Sequence, residues 1–187
     1  NLTRLNLASE TGALLLLAAN SNSCPVGSVF FDGKINFSCM PKNSLDQTML
    51  ILSKFSRREE VVNTGSALSS AIKGAQQILK NRSLIFILSD FRCGDYEDNL
   101  ALLSQKHDVV AIRFTDANDF ELPNLGMVEV QNPENQQKKI YPTFSSAFKR
   151  AWRENSNNQL ERWKYMCKKN GVVPLVISTA DNPALRL

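Results

Sequence analysis

Ser89 and Asp90 place a hydroxyl and a carboxylate side by side where a run of apolar residues stops. Leu84 to Leu88 are large and apolar, the pattern of a strand covered on both faces, as in a parallel sheet between helix layers. Ser89 and Asp90 then fall at the strand's carboxyl end, the edge where open α/β sheets bind ligands. An Asp there serves either as a metal or ligand group or as a cap for the following turn. A second oxygen-bearing segment, Asn63-Thr64-Gly65-Ser66, precedes a helical pattern. Its hydroxyls suit helix N-caps, and its loop is expected at the same edge. A hydroxyl from one loop and a carboxylate from another are ligands for a hard cation such as Mg²⁺. Such a site needs at least one more oxygen-rich loop.

A rival chemistry is metal-assisted hydrolysis using Asp90 with Asp95 or Asp116. Asp90 and Asp116 both follow apolar strands, so they can converge. No nucleophile or general-base motif accompanies them. His107 is the single histidine and sits at an expected helix end, where an imidazole pairs with free carbonyls. Neither Gly-x-x-x-x-Gly-Lys nor Gly-x-Gly-x-x-Gly occurs, so nucleotide binding has no motif. Trp152 and Trp163, eleven residues apart, fit one core face of a helix better than a stacking platform for nucleic acid.

The elements that must position these groups alternate. Helical patterns are expected over 3–20, 45–55, 67–80, 96–106 and 144–169, and strands over 26–32, 35–39, 84–88, 109–114, 128–130 and 172–177. Gly33 turns the first two strands into an antiparallel pair, and Pro41 breaks the second pattern. Arg57 to Glu60 is a charged connection, and 132–139 reads as a polar loop or hairpin tip. Asn155 to Asn158 weaken the middle of the last helix, and Gly171 caps its end. Lys149, Arg150, Arg153, Arg162, Lys164, Lys168 and Lys169 make that helix basic, a solvated face or a docking surface for an acidic partner. The alternation predicts one doubly wound α/β domain over 1–187, with a mostly parallel sheet, one antiparallel edge strand and helices on both faces.

A chain of 187 residues with 43% hydrophobic and 21% charged residues supports one sizeable core. A net charge of +4 is too small to argue for nucleic acid. Cys24, Cys39, Cys93 and Cys167 are widely spaced, which favours free thiols in a reducing compartment, here the cytoplasm. No apolar run reaches the roughly 20 residues that span a bilayer, so no membrane contact is expected from this chain. The chain opens at Asn1 directly into a helical pattern, and is expected to be preceded by further residues in a parent protein. Those residues are where a membrane anchor of the parent would lie.

Several motifs in order resemble the bacterial domain of unknown function 58 family, a relative of the von Willebrand factor A domains. They are Val26-Gly27-Ser28-Val29-Phe30-Phe31-Asp32, Ser66-Ala67-Leu68-Ser69-Ser70-Ala71-Ile72, Leu88-Ser89-Asp90-Phe91 and His107-Asp108-Val109-Val110-Ala111-Ile112-Arg113. A loop with Asp116, Asp119, Leu122-Pro123 and Gly126 follows them. It departs from the family pattern, with Ala117 in place of Pro and Asp119 in place of Glu.

The resemblance implies a von Willebrand A-like fold with a metal-ion-dependent adhesion site at the sheet's carboxyl edge. Asp90 matches the third-loop Asp of that site, and Ser66 the second-loop Thr, with Thr64 nearby as a substitute. The first loop, Asp-x-Ser-x-Ser, and the central strand feeding it are expected upstream of Asn1. The implied function is a non-enzymatic protein-binding module, Mg²⁺-dependent through Ser66 and Asp90. The implied partner is a MoxR-type AAA+ ATPase, in chaperone-like assembly or maturation of another complex.

Overall fold

The computed structural model describes residues 3–56, 67–131 and 138–187. Its centre is a parallel sheet of three strands, β3 (Leu84–Ser89), β4 (Asp108–Thr115) and β7 (Val173–Ser178), in the order β3-β4-β7. β4 lies between its two partners in unbroken register, Leu84 opposite Asp108 on one side and Val110 opposite Val173 on the other. Being central, it is the most buried strand, with only Asp108 exposed.

Alternation along β4 separates two cores. Ile112 and Phe114 join Leu7 and Ile177 in one cluster, with Leu88 and Val110 against it. Leu7 belongs to α1 (Arg4–Ser21), which therefore covers this face. Val109 and Ala111 point the other way, into a cluster with Leu100 and Leu103 of α4 (Glu97–Ser104) and Trp163 and Cys167 of α6 (Ser146–Lys169). Leu68 and Ile72 of α3 (Leu68–Ile78) complete it. Helices thus pack on both faces of the parallel sheet, as the alternation predicts.

The single large sheet of the sequence reading is divided. β1 (Val26–Asp32) and β2 (Lys34–Lys42) form a separate antiparallel hairpin, and β5 (Met127–Gln131) and β6 (Lys138–Pro142) form another. Helix α1 touches β1 as well as β3 and β4. Phe31 of β1 and Ile85 of β3 pack into one cluster, so the first hairpin sits beside the parallel sheet without pairing to it.

β3 is consequently an edge strand, and among the described residues only β4 pairs with it. Its coverage is lopsided: Leu84 is 61% exposed and Phe86 36%. Both lie on the α1 face, where the helix reaches only as far as Leu88. The expectation of a strand covered on both faces holds for the carboxyl half alone.

Pro41 does not end its strand. Val26 opposes Lys42 and Ser28 opposes Cys39, so Gly27 faces two residues across a bulge. A bulge leaves a ladder position unused, which suits a residue with no N–H. The backbone there is so close that a Cβ on Gly27 would lie 2.7 Å from the Cys39 carbonyl oxygen. Phe30 of this hairpin packs on Phe55 of α2 (Leu45–Ser56) at 4.9 Å between ring centroids.

Helix α6 runs without interruption through Asn155 to Asn158, because its three asparagines there are exposed while the apolar stripe continues. Its two tryptophans serve different cores, contrary to the expected single face. Trp163 is buried against the parallel sheet. Trp152 meets Tyr141 of β6 at 5.8 Å, beneath the second hairpin. Of the polar stretch 132–139 expected as a loop or hairpin tip, Lys138 and Lys139 belong to β6, and residues 132–137 lie outside the described residues. None of the four cysteines forms a disulfide among the described residues, and no described helix is long and apolar enough to cross a membrane.

Candidate functional site

The carboxyl ends of β3 and β4 carry the polar side chains that the sequence singles out. After β3 the chain turns at once. The Ser89 hydroxyl oxygen accepts the Phe91 N–H at 3.1 Å, and Asp90 Oδ1 accepts the Arg92 N–H at 3.3 Å. Phe91 has a φ of +51°, uncommon for a residue with a side chain. Its buried ring, 5.1 Å from Trp163 and 5.6 Å from Tyr96, holds that conformation in place. Asp90 is therefore a turn cap in the protein's own bonding, and its Oδ2 accepts no hydrogen bond among the described residues. Ser66 and Thr64, its expected partners, lie outside the described residues.

Beyond β4, Asp116 caps the short helix α5 (Ala117–Phe120). Its carboxylate accepts the Asn118 N–H at 3.0 Å and the Thr179 hydroxyl at 2.8 Å. These bonds, the backbone one first, hold the Asp116 carboxyl below the usual range. Asp119 closes a capping box by accepting the Asp116 N–H at 2.9 Å.

Asp119 is the larger surprise. It is 7% exposed and pairs through Oδ1 with both Arg4 of α1 and Arg92, the latter at 2.6 Å. One carboxylate thus ties the first helix, the β3 turn and the β4 turn together. Arg113 lies nearby, only 8% exposed, with its guanidinium carbon 5.5 Å from the Trp163 ring centroid. Burial, then the neighbouring Arg92, push its pKa down from the usual guanidinium value.

The sequence reading missed Arg4, Arg92 and Arg113, and took Asp119 for a loop residue. One signal was present. Val109, Ala111, Arg113 and Thr115 share a face of a strand otherwise buried, so a cation stands where the alternation demands an apolar side chain.

The three carboxylates of the hydrolase reading do separate work. Asp90 and Asp116 hold turns, and Asp95 is exposed at a φ of +61°. His107 is buried, and its Nδ1 has no hydrogen-bond partner among the described residues, so the expected pairing with helix-end carbonyls is not seen there. Burial pushes the Cys167 thiol up to about 12.

A hard cation takes about six oxygen ligands. Asp90 fits as one, through its free oxygen. Among the described residues no group of three or more His, Cys, Asp or Glu side chains could hold a metal ion. The nearest charges include Arg92 and Arg113, which oppose a cation.

Fold and site together define a mixed α/β domain with a polar, arginine-rich carboxyl edge on a short parallel sheet. The chain belongs to the family described as Protein of unknown function DUF58, whose match covers residues 1–162. No curated protein and no solved structure matches the chain.

Proposed function

We propose that this domain is a von Willebrand A-like, non-enzymatic protein-binding module whose binding edge is the carboxyl end of the parallel sheet. The observation that carries this reading is Asp90, half-buried at the end of β3, whose second carboxylate oxygen accepts no hydrogen bond among the described residues. The outer edge of β3, which pairs with no strand among the described residues, supports the same reading, since a von Willebrand A-like sheet needs another parallel strand there.

In this reading Asp90 and the Ser66 hydroxyl contribute two ligands to Mg²⁺, and an oxygen-rich loop outside the described residues completes the set. The ion, when bound, offers an open position to a carboxylate oxygen of the partner. The protein's own part is rigidity: the Ser89 and Asp90 turn bonds and the Phe91 anchor fix where that carboxylate stands. The partner is a MoxR-type AAA+ ATPase, and the joint role is chaperone-like assembly or maturation of another complex. Four cysteines without a disulfide among the described residues agree with work in the reducing cytoplasm.

The test measures binding of the protein to a MoxR-type ATPase by calorimetry, with Mg²⁺ and then with EDTA. Binding in Mg²⁺ that Asp90→Asn weakens at least tenfold is expected. Equal binding by wild type and Asp90→Asn in both buffers would sink the metal-dependent form. No binding in either would remove the partner.

A further inference from the structure

A cleft opens between the end of β4 and the middle of α6, lined by Arg92, Arg113, Thr115, Asp119, Ser156 and Gln159 among others. The cleft has about 10 Å³ of open space, room for one water-sized group. We propose that this cleft is an anion-binding pocket that takes a carboxylate.

Arg113 is 8% exposed as a residue and lines the cleft, and its guanidinium donates no hydrogen bond and joins no ion pair among the described residues. Placing a cation in a largely buried position without an acceptor is unfavourable. The Trp163 ring beneath offsets part of that through its negative face. It leaves the N–H edge of the guanidinium without a partner.

The neighbouring cations are already engaged. Arg4 and Arg92 share the Asp119 carboxylate. With Asp90 and Asp116 also nearby the cluster is balanced in charge, and of its three guanidiniums Arg113 is the one without a direct ion pair among the described residues. Thr115, Ser156 and Gln159 add neutral groups able to donate hydrogen bonds.

Shape and charge select the ligand. The planar guanidinium matches a carboxylate in two parallel bonds. Asp119, within the lining, repels a doubly charged group more than a singly charged one. The pocket needs no metal and does not rest on the Ser66–Asp90 reading. Its carboxylate comes from a free small acid or from an acidic side chain of a polypeptide.

The experiment follows Trp163 emission in the full chain carrying Trp152→Phe, with EDTA present. Sodium acetate is titrated at constant ionic strength, sodium chloride making up the balance. Parallel titrations use sodium phosphate and an end-capped hexaglutamate peptide. Saturable changes with acetate, with the peptide or with both are expected, and phosphate without effect. Binding by the peptide at far lower concentration than acetate identifies a polypeptide source, and the reverse order a free acid.

Arg113→Met should weaken binding at least tenfold, and Arg113→Lys by less. Asp90→Asn should leave it intact, which separates this pocket from the metal reading. Gln159→Ala changes an exposed helical residue, so its expected threefold weakening stands whether or not Arg113→Met folds. Acetate and peptide indistinguishable from chloride, saturation by phosphate alone, or unchanged binding in a folded Arg113→Met would overturn the proposal.

Discussion

Asp90 can cap a turn, bind a metal or do both, and one substitution separates the roles. Asp90→Asn keeps an oxygen to accept the Arg92 N–H and removes the charge. Stability in EDTA should change by less than about 0.5 kcal/mol, as for a half-buried surface site that keeps its bond. Mg²⁺ at a hundred times its Kd should stabilise wild type by about 2.7 kcal/mol and the variant by nothing. Thermal melts with and without Mg²⁺ measure both. A large loss in EDTA would mean that the charge itself serves the fold.

Asp116 gives a pH prediction. Its carboxyl is held below the ordinary range by the Asn118 N–H and the Thr179 hydroxyl. A depressed folded pKa contributes stability that is present above the unfolded value, near 4, and is lost as pH falls through the folded value. Thr179→Val removes one donor, so the Asp116 carboxyl should titrate at higher pH. Acid unfolding should begin earlier, and neutral stability should drop by about 0.5–1.5 kcal/mol. The carboxyl carbon shift of Asp116 followed by NMR from pH 6 to 2 tests this, and an unmoved titration would contradict it.

Thiol reactivity is a third residue-scale expectation. Cys24 is exposed, whereas Cys167 is buried with its thiol pushed up to about 12. The thiolate is the reactive form. Iodoacetamide at neutral pH should label Cys24 readily and Cys167 only after unfolding, as peptide mass mapping would reveal.

At the scale of elements, the crossing of α1 and α2 depends on one missing methyl group. A Cβ on Gly12 would lie 2.5 Å from Phe55 Cζ, and that ring is braced by Phe30. Ala is the better helix former by about 1 kcal/mol, but overpacking costs about 1–3 kcal/mol. Gly12→Ala should therefore be neutral to destabilising by about 2 kcal/mol, and Phe55→Leu should recover stability in its background. Urea denaturation of the three variants decides it.

Most elements were legible because their signals are local. The period of apolar residues marks α1, α3 and α6, and Ser145 and Gly171 bracket α6 with cap chemistry. What was not legible depends on neighbours far along the chain. Pro41 looks like a strand breaker until Gly27 supplies the bulge opposite it. Trp152 and Trp163 share a spacing, and only the β5–β6 hairpin assigns Trp152 elsewhere. The candidate site divides in the same way. Asp90 is visible from the apolar run before it. The Arg4, Arg92 and Asp119 junction joins residues up to 115 positions apart, and no local pattern announces that.

At the scale of the whole molecule, β3 sets the remaining question. Five apolar residues in a row anticipate cover on both faces, yet Leu84 and Phe86 stand exposed at an edge whose outer side pairs with nothing among the described residues. An open apolar edge is a template for another strand. In residues 1–187 by themselves, that edge should drive concentration-dependent association. A charge on it should suppress association at little cost in stability, since Leu84 packs poorly. Leu84→Lys should shift sedimentation toward monomer and leave the urea midpoint within about 0.5 kcal/mol of wild type. When a strand pairs with β3 and a layer covers Leu84, the same change buries a charge beside an apolar face and should destabilise by several kcal/mol. Performed on 1–187, the comparison discriminates directly. A monomer with a small stability change marks an edge left open for a further strand, and a large loss marks an edge already covered.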